Sequence, residues 1–224
     1  KEKNPTIIIP VGSLEQHGAH LPITTDSDIV TEIASRLAKK CNFVVLPTVS
    51  YGISSEHAPF FQVSPNDLLS FLRGIISSLV INKVKSVIIL NGHHGNVDTL
   101  EMMEANPERE WNLDFKDVKI DFYSYWHFME HEFDHAGFVE TSLMLAISDK
   151  VKMKKAKKGL ITKGLSEKEI QRINKLSTER GGFPKVTKNG VWGDPTSATK
   201  KDGEKLLAEI VRNLTEACQY PLTD

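Results

Sequence analysis

Three short apolar runs limit what this chain can fold into: Ile7–Val11, Phe43–Pro47 and Val84–Leu90. Each is rich in Val and Ile and continuous rather than alternating, as strands covered on both faces are. Helical patterns lie between them. Asp26–Lys40 repeats Ile29, Val30, Ile33, Ala34 and Leu37 at helical spacing, with Thr24, Thr25 or Asp26 available as N-cap. Pro65–Val80 follows Ser64, a cap residue with proline at the first helical position, and presents Leu68, Leu69, Leu72, Ile75, Ile76 and Leu79. A fourth strand is expected at Val118–Tyr125, a helix at Phe138–Ile147 and a last helix at about Thr196–Ala217. Strands alternating with helices imply βαβ units, so the expected class is α/β with a mainly parallel sheet and helices on both faces. Residues 1–224 read as one domain without repeat or linker, and polar Gly159–Gly193 reads as an excursion over the surface.

Composition removes several function classes. The formal net charge is −1, with 40% hydrophobic and 25% charged residues, so nothing global draws the chain to nucleic acid or an anionic membrane. The lysines of Lys150–Lys158 read as a solvated segment. Cys41 and Cys218 lie far apart and in no Cys-x-x-Cys arrangement, which argues against a disulfide framework or a thiolate zinc site. No apolar run approaches the length of a membrane span, and a cytoplasmic location is the expectation.

In a parallel sheet of this kind, ligands bind at the carboxyl ends of the strands. Two of the expected strands end in loops with unusual chemistry. "GSLEQHGAHLPITTDSD", residues 12–28, offers Glu15, His17, His20, Asp26 and Asp28. In extended backbone residues two apart point the same way, so Glu15 and His17 can converge. "LNGHHGN", Leu90–Asn96, places His93 and His94 between glycines that permit tight turning, or else forms a turn whose histidines face water. Asn96 also suits a helix cap. A third stretch, "DHAGFVETSLMLAI", sets Glu140 among apolar residues just after Asp134 and His135. A carboxylate on such a helix either pairs locally or binds a metal, because burial without a partner is costly. Taken together, these nitrogen and oxygen donors without thiolates suit Zn²⁺, Mn²⁺ or Fe²⁺. The reading from residues alone is metal-assisted hydrolysis in a cleft at the strand ends, with water activated between two ions.

From "PVGSLEQHGAHLPITTDSD" through "NGHHGN" and "HAGFVETS" to "GVWGDPTSAT", the chain resembles the creatininase (creatinine amidohydrolase) family. The resemblance implies a three-layer α/β/α sandwich, two divalent metal ions per subunit with Zn²⁺ the first choice, a small-molecule amide substrate, and a homo-oligomer, a hexamer or a dimer-based assembly. It implies that Glu15, Asp26 and His93 hold one ion, and that Asp26 bridges to a second ion also bound by His17. Creatininase has a glutamate two residues after the motif histidine, where this chain has Gly95; Glu140 is the expected substitute. His135 keeps the position of the general acid/base, with Asp134 expected to orient it. His94, His57 and Trp126 are expected to line the substrate pocket, alongside His127. His20 reads as structural, His131 as solvent-facing and Asp194 as a turn or interface residue. The stretch "SSEHAPFFQVSPND" lacks the Phe-Pro-Gly-Thr common in the family, and His94 replaces a pocket tyrosine; both argue against creatinine itself. The activity implied is cleavage of a C–N amide-type bond in a creatinine-like cyclic amide or an N-formyl group. A formamidopyrimidine-nucleotide deformylase and a mycofactocin-type peptidase are the family alternatives, and a catalytically silent metal-binding protein is the alternative of another class.

Overall fold

In a computed structural model, which describes residues 4–57, 60–105 and 118–219, four parallel strands stand in the order β2-β1-β3-β4. They are β1 (Ile7–Val11), β2 (Val44–Val45), β3 (Ser86–Asn91) and β4 (Lys119–Ser124). The register sets Ile8 beside Ile88 and Val11 beside Asn91, so β1 and β3 end level with each other. β1 is buried along its whole length, as its unbroken apolar run requires. The second expected strand is the exception. Phe43–Pro47 contracts to the two residues of β2, and Val44 is 45% exposed, because this strand lies at the sheet edge with a single neighbour.

Alternate side chains of the central strands feed two cores. Ile8, Ile88 and Leu90 pack against α1 (Thr25–Cys41), α4 (Phe138–Ile147) and α6 (Lys200–Gln219) through Ile29, Ile33, Leu143, Leu207 and Ile210. Ile7, Ile9, Val11, Val87 and Ile89 pack on the other face against Leu68, Leu72 and Ile76 of α2 (Pro65–Ile81), and Leu100 and Met103 of α3 (Val97–Ala105). The result is the three-layer α/β/α arrangement that the strand and helix pattern implies. Among the described residues, no helix is long and apolar enough to cross a membrane.

The helix ends follow local chemistry. Ser64 accepts a hydrogen bond from Asp67 N and opens α2 with Pro65. Thr24 is the residue before α1 but makes no capping hydrogen bond, so the first-turn acids Asp26 and Asp28 meet the helix N-terminus instead. The stretch expected as a surface excursion contains a further helix, α5 (Glu167–Thr178), opened by a capping box between Ser166 and Glu169. Both that capping signal and a short apolar stripe, Ile170, Ile173 and Leu176, stand in the sequence, but the stripe is narrow and only half-buried, and the surrounding residues are strongly polar. The last helix starts later than expected because Asp194 accepts from Thr196 N and closes a separate turn at Pro195–Ser197.

α6 crosses α4 closely at Gly203, where a Cβ would collide with the Ser142 carbonyl oxygen and stand 3.0 Å from Ala146 Cβ. Gly203→Leu should therefore push the two helices apart and lower stability by about 1–3 kcal/mol or more, the usual scale of overpacking. Urea denaturation of that variant against the parent protein checks it; an unchanged midpoint would mean the crossing yields easily.

Candidate metal centre

The loops that leave β1 and β3 are tied together by Asn96. Its amide nitrogen donates to Gly12 O (3.1 Å) and Asn91 Oδ1 (3.2 Å), and its Oδ1 accepts from Ile53 N (3.0 Å). Three chain segments are thus fixed by one buried side chain. Above it gather Glu15 and His17 from the loop after β1, Asp26 from the first turn of α1, His93 from the loop after β3, and Glu140 from the first turn of α4. All five are buried. His57, from the segment between β2 and α2, and His135, just before α4, close the group.

The distances are short. His17 Nε2 lies 3.0 Å from Asp26 Oδ1 and 3.5 Å from Glu140 Oε2. His93 Nδ1 is 3.0 Å from Asp26 Oδ2, and its Nε2 donates to Ile53 O at 2.8 Å. His57 Nε2 and His135 Nδ1 stand 3.2 Å and 3.7 Å from Glu15 Oε1. Four overlapping groups have donor atoms within 4.8 Å of one another: Glu15–His17–Asp26, His17–His135–Glu140, Glu15–Glu56–His93 and Glu15–His57–His135.

Two of these oxygens carry a specific message. Glu15 Oε1 and Asp26 Oδ2 are buried and accept no hydrogen bond, although a histidine nitrogen lies close to each. Acceptors and ring nitrogens that approach without bonding suit a shared cation better than each other. The titration behaviour agrees. Burial raises the Glu15 carboxyl well above its usual range, and the charges of Asp26, Glu56 and Glu140 raise it further. Burial likewise raises Glu140 to about 8, against the opposing pull of His17. His17 goes the other way: burial lowers it, but Asp26 and Glu140 outweigh that and lift it to about 9. Burial works to raise Asp26, yet His17 and His93 hold it well below the usual carboxylate range. Crowded carboxylates of this kind are short of positive charge, which a divalent cation supplies while displacing the protons. The donor set, nitrogen and oxygen without sulfur, fits Zn²⁺, Mn²⁺ or Fe²⁺.

The expected ligands Glu15, His17, Asp26, His93 and Glu140 are thus brought together, and His135 joins them. Asp134 does not contact the His135 ring. Its carboxylate accepts from Val139 N (3.0 Å) and Glu140 N (3.4 Å), capping α4 instead of orienting the histidine. His135 is held by Gln16, whose carbonyl oxygen and Nε2 both lie 3.0 Å from His135 Nε2, while the same Nε2 of Gln16 lies 3.0 Å from His57 Nδ1. Sequence reasoning passed over Gln16, which sits between Glu15 and His17 and so faces the other way in extended backbone. His57 stands in the centre of the group instead of at its margin. His94 lines the cavity, whereas Trp126 lies behind it, stacked on Phe133 with ring centroids 4.7 Å apart. His20 is structural, 2.9 Å from Thr141 Oγ1. His127 and His131 are exposed.

A cavity of about 390 Å³ opens over the group. Phe133, Phe183 and Trp192 supply apolar wall, and Asn174, Ser177 and Thr178 of α5 supply a polar rim. Part of the lining, Asn174, Ser177, Thr178, Phe183 and Trp192, is therefore built by the stretch that reads in sequence as a mere excursion. It is pinned at His135, whose N–H donates to Trp192 O (3.0 Å) and whose carbonyl accepts from Trp192 N (2.8 Å).

The family model described as creatinine amidohydrolase matches residues 1–218. The chain belongs to the creatininase family. A mycofactocin precursor peptide peptidase of Mycolicibacterium smegmatis is 32% identical over 225 residues, covering 95% of this chain and 83% of that protein. The creatinine amidohydrolase of Pseudomonas putida is 27% identical over 168 residues, 63% of this chain and 64% of that one. A solved structure of a putative creatinine amidohydrolase from Bacteroides fragilis is 26% identical, with a TM-score of 0.77 over 99% of this chain and 93% of that one. A creatininase of zinc–zinc type, 22% identical, shares the fold at a TM-score of 0.77, covering 97% of this chain and 92% of its own.

Because Asp134 caps α4, Asp134→Ala should lower stability by about 1 kcal/mol, the usual effect of losing a helix cap. Chemical denaturation at neutral pH checks this. A variant as stable as the parent would show that the two backbone N–H groups find other acceptors.

Proposed function

We propose that this creatininase-family chain is a metal-dependent amidohydrolase that cleaves a carbon–nitrogen amide-type bond in a small, uncharged substrate group. A cyclic amide like creatinine and an N-formyl group both fit that description. The observation that carries the reading is the pair of buried, unpartnered carboxylate oxygens, Glu15 Oε1 and Asp26 Oδ2, facing histidine nitrogens at the carboxyl edge of the sheet. Glu15, Asp26 and His93 are the residues suited to hold one ion, and Asp26, His17 and Glu140 those suited to hold a second, with zinc the first choice. Such ions would bring the pKa of a water near neutrality and polarise the substrate carbonyl.

The chain's own groups do the rest. His135 presents Nδ1 toward Glu15 and the cavity floor, while Gln16 fixes the far side of the ring. Burial, with His17 and His57 adding to it, holds this imidazole neutral. It is therefore placed to take a proton at Nδ1 from the attacking water and pass it to the departing nitrogen. Phe133, Phe183 and Trp192 exclude bulk water from the same volume. No lysine or arginine lines the cavity among the described residues, which disfavours a substrate anchored through a phosphate.

A second reading has support of its own. The peptide peptidase relatives align over more than nine-tenths of this chain, and the aromatic wall offers apolar surface for a peptide side chain. A screen of cyclic amides, formamides and short peptides distinguishes the two. Hydrolysis of peptides alone would move the assignment to the second reading, and no hydrolysis of any amide would leave a metal-binding protein.

Asp26→Asn should strip at least one ion and abolish turnover while the far-ultraviolet circular dichroism stays unchanged. Full metal content in that variant, measured by elemental analysis, would remove Asp26 from the centre. His135→Ala should keep its metal and lose roughly 10²–10⁴-fold in kcat, the usual scale of general acid–base help. An unaltered kcat would assign the proton to another group.

A further inference from the structure

Position 95 is closed to any side chain. A Cβ on Gly95 would collide with the Ile53 carbonyl oxygen and stand 2.5 Å from His93 Nε2. It would also stand 2.9 Å from Glu56 Oε1. The space in front of His93 is thus taken by the segment between β2 and α2, by the Ile53 carbonyl first and the Glu56 carboxylate beside it.

Glu56 is well suited to that place. The side chain is 16% exposed and lines the cavity beside Glu15 and His93. One donor atom from each of Glu15, Glu56 and His93 lies within 4.8 Å of the others. Its backbone is held on the far side: Glu56 O accepts from Phe183 N (3.0 Å) and Ser55 O accepts from Gly181 N (2.8 Å). Its neighbour His57, with Nε2 3.7 Å from Glu56 Oε1, stands closer to Glu15, at 3.2 Å. A carboxylate this enclosed, with the buried Glu15 carboxylate within reach of the same ion, is costly without a cation between them.

We propose that Glu56 is a further metal ligand, adding a carboxylate from the loop between β2 and α2 to the Glu15–His93 end of the centre. This rests on the reading of the site as a metal centre. It also gives the glycine a reason: any side chain at 95 would displace both the Ile53 carbonyl that fixes His93 and the Glu56 carboxylate.

The test is a zinc titration of chelator-stripped full-length protein, parent against Glu56→Gln, with a competing chromophoric chelator reporting affinity. Co²⁺ absorption spectra report the ligand field. Glutamine keeps the size of the side chain and removes its charge. At least a tenfold loss of affinity at one site, with a changed Co²⁺ spectrum, is expected; loss of even an indirect partner of a metal ligand costs 10–100-fold. The thermal midpoint of the metal-free protein should not fall, because the variant removes a charge that is costly to enclose without a cation; loss of a purely structural carboxylate would lower it. Should Glu56→Gln not fold, Glu56→Asp retains the charge, shortens the reach and should also weaken zinc. A parent that binds zinc, beside a folded variant with identical affinity and spectrum, overturns the role of Glu56 alone. A parent that binds no zinc overturns the metal centre itself.

Discussion

The structure depends on negative charge buried at the carboxyl edge of its sheet. Glu15, Asp26 and Glu140 are each almost wholly enclosed, with Glu56 at their margin, and carboxylates in such numbers repel one another in a medium that screens poorly. Histidines 17 and 93 relieve part of that repulsion by sharing Asp26. The part they leave is visible as two oxygens without hydrogen bonds. A core that tolerates this arrangement suits a bound cation, and the rest of the fold holds these groups in place.

The groups are held by rigid elements and short ties. β1 and β3 are buried on both faces and end level, so the loops that follow start from fixed points. Asn96 joins those loops to the segment at Ile53, and helices α1 and α4 present Asp26 and Glu140 from their first turns, where a carboxylate also meets the positive end of the helix. Asp134 serves the same end of α4, which explains why it is absorbed by backbone N–H groups rather than by the neighbouring histidine. Asp26 and Glu140 stand on helix first turns, and the loops that carry Glu15, His17 and His93 start from strand ends tied by Asn96, which limits the freedom of all five.

Above the charged floor the cavity changes character. Phe133, Phe183 and Trp192 make one side apolar, and the α5 side is polar without being cationic. Among the described residues such a volume offers no lysine or arginine to a negatively charged ligand. The fold itself leaves the substrate open, since the same family framework serves relatives named for a peptide and for creatinine.

Sequence alone determined the layers of this protein. Continuous Val and Ile runs required strands covered on both faces, 3.6-residue periodicity required helices to cover them, and β1, α1, α2 and α4 lie within a residue of where those patterns place them. It also singled out the candidate ligands, Glu15, His17 and His93 in polar loops after strands, Asp26 in the first turn of α1, and Glu140 as a carboxylate among apolar residues at the start of α4. Tertiary structure alone decided what those residues meet. That Gln16 holds His135, 119 positions away, that Glu56 reaches the space before Gly95, and that α5 with Phe183 and Trp192 closes the cavity are contacts between segments far apart in the chain, while Asp134 caps the helix five residues on where the neighbouring histidine is the expected partner. Periodicity and spacing report a segment's own burial and conformation. They carry no information about which distant side chain will share a few ångströms with it, and in this centre that sharing decides the chemistry.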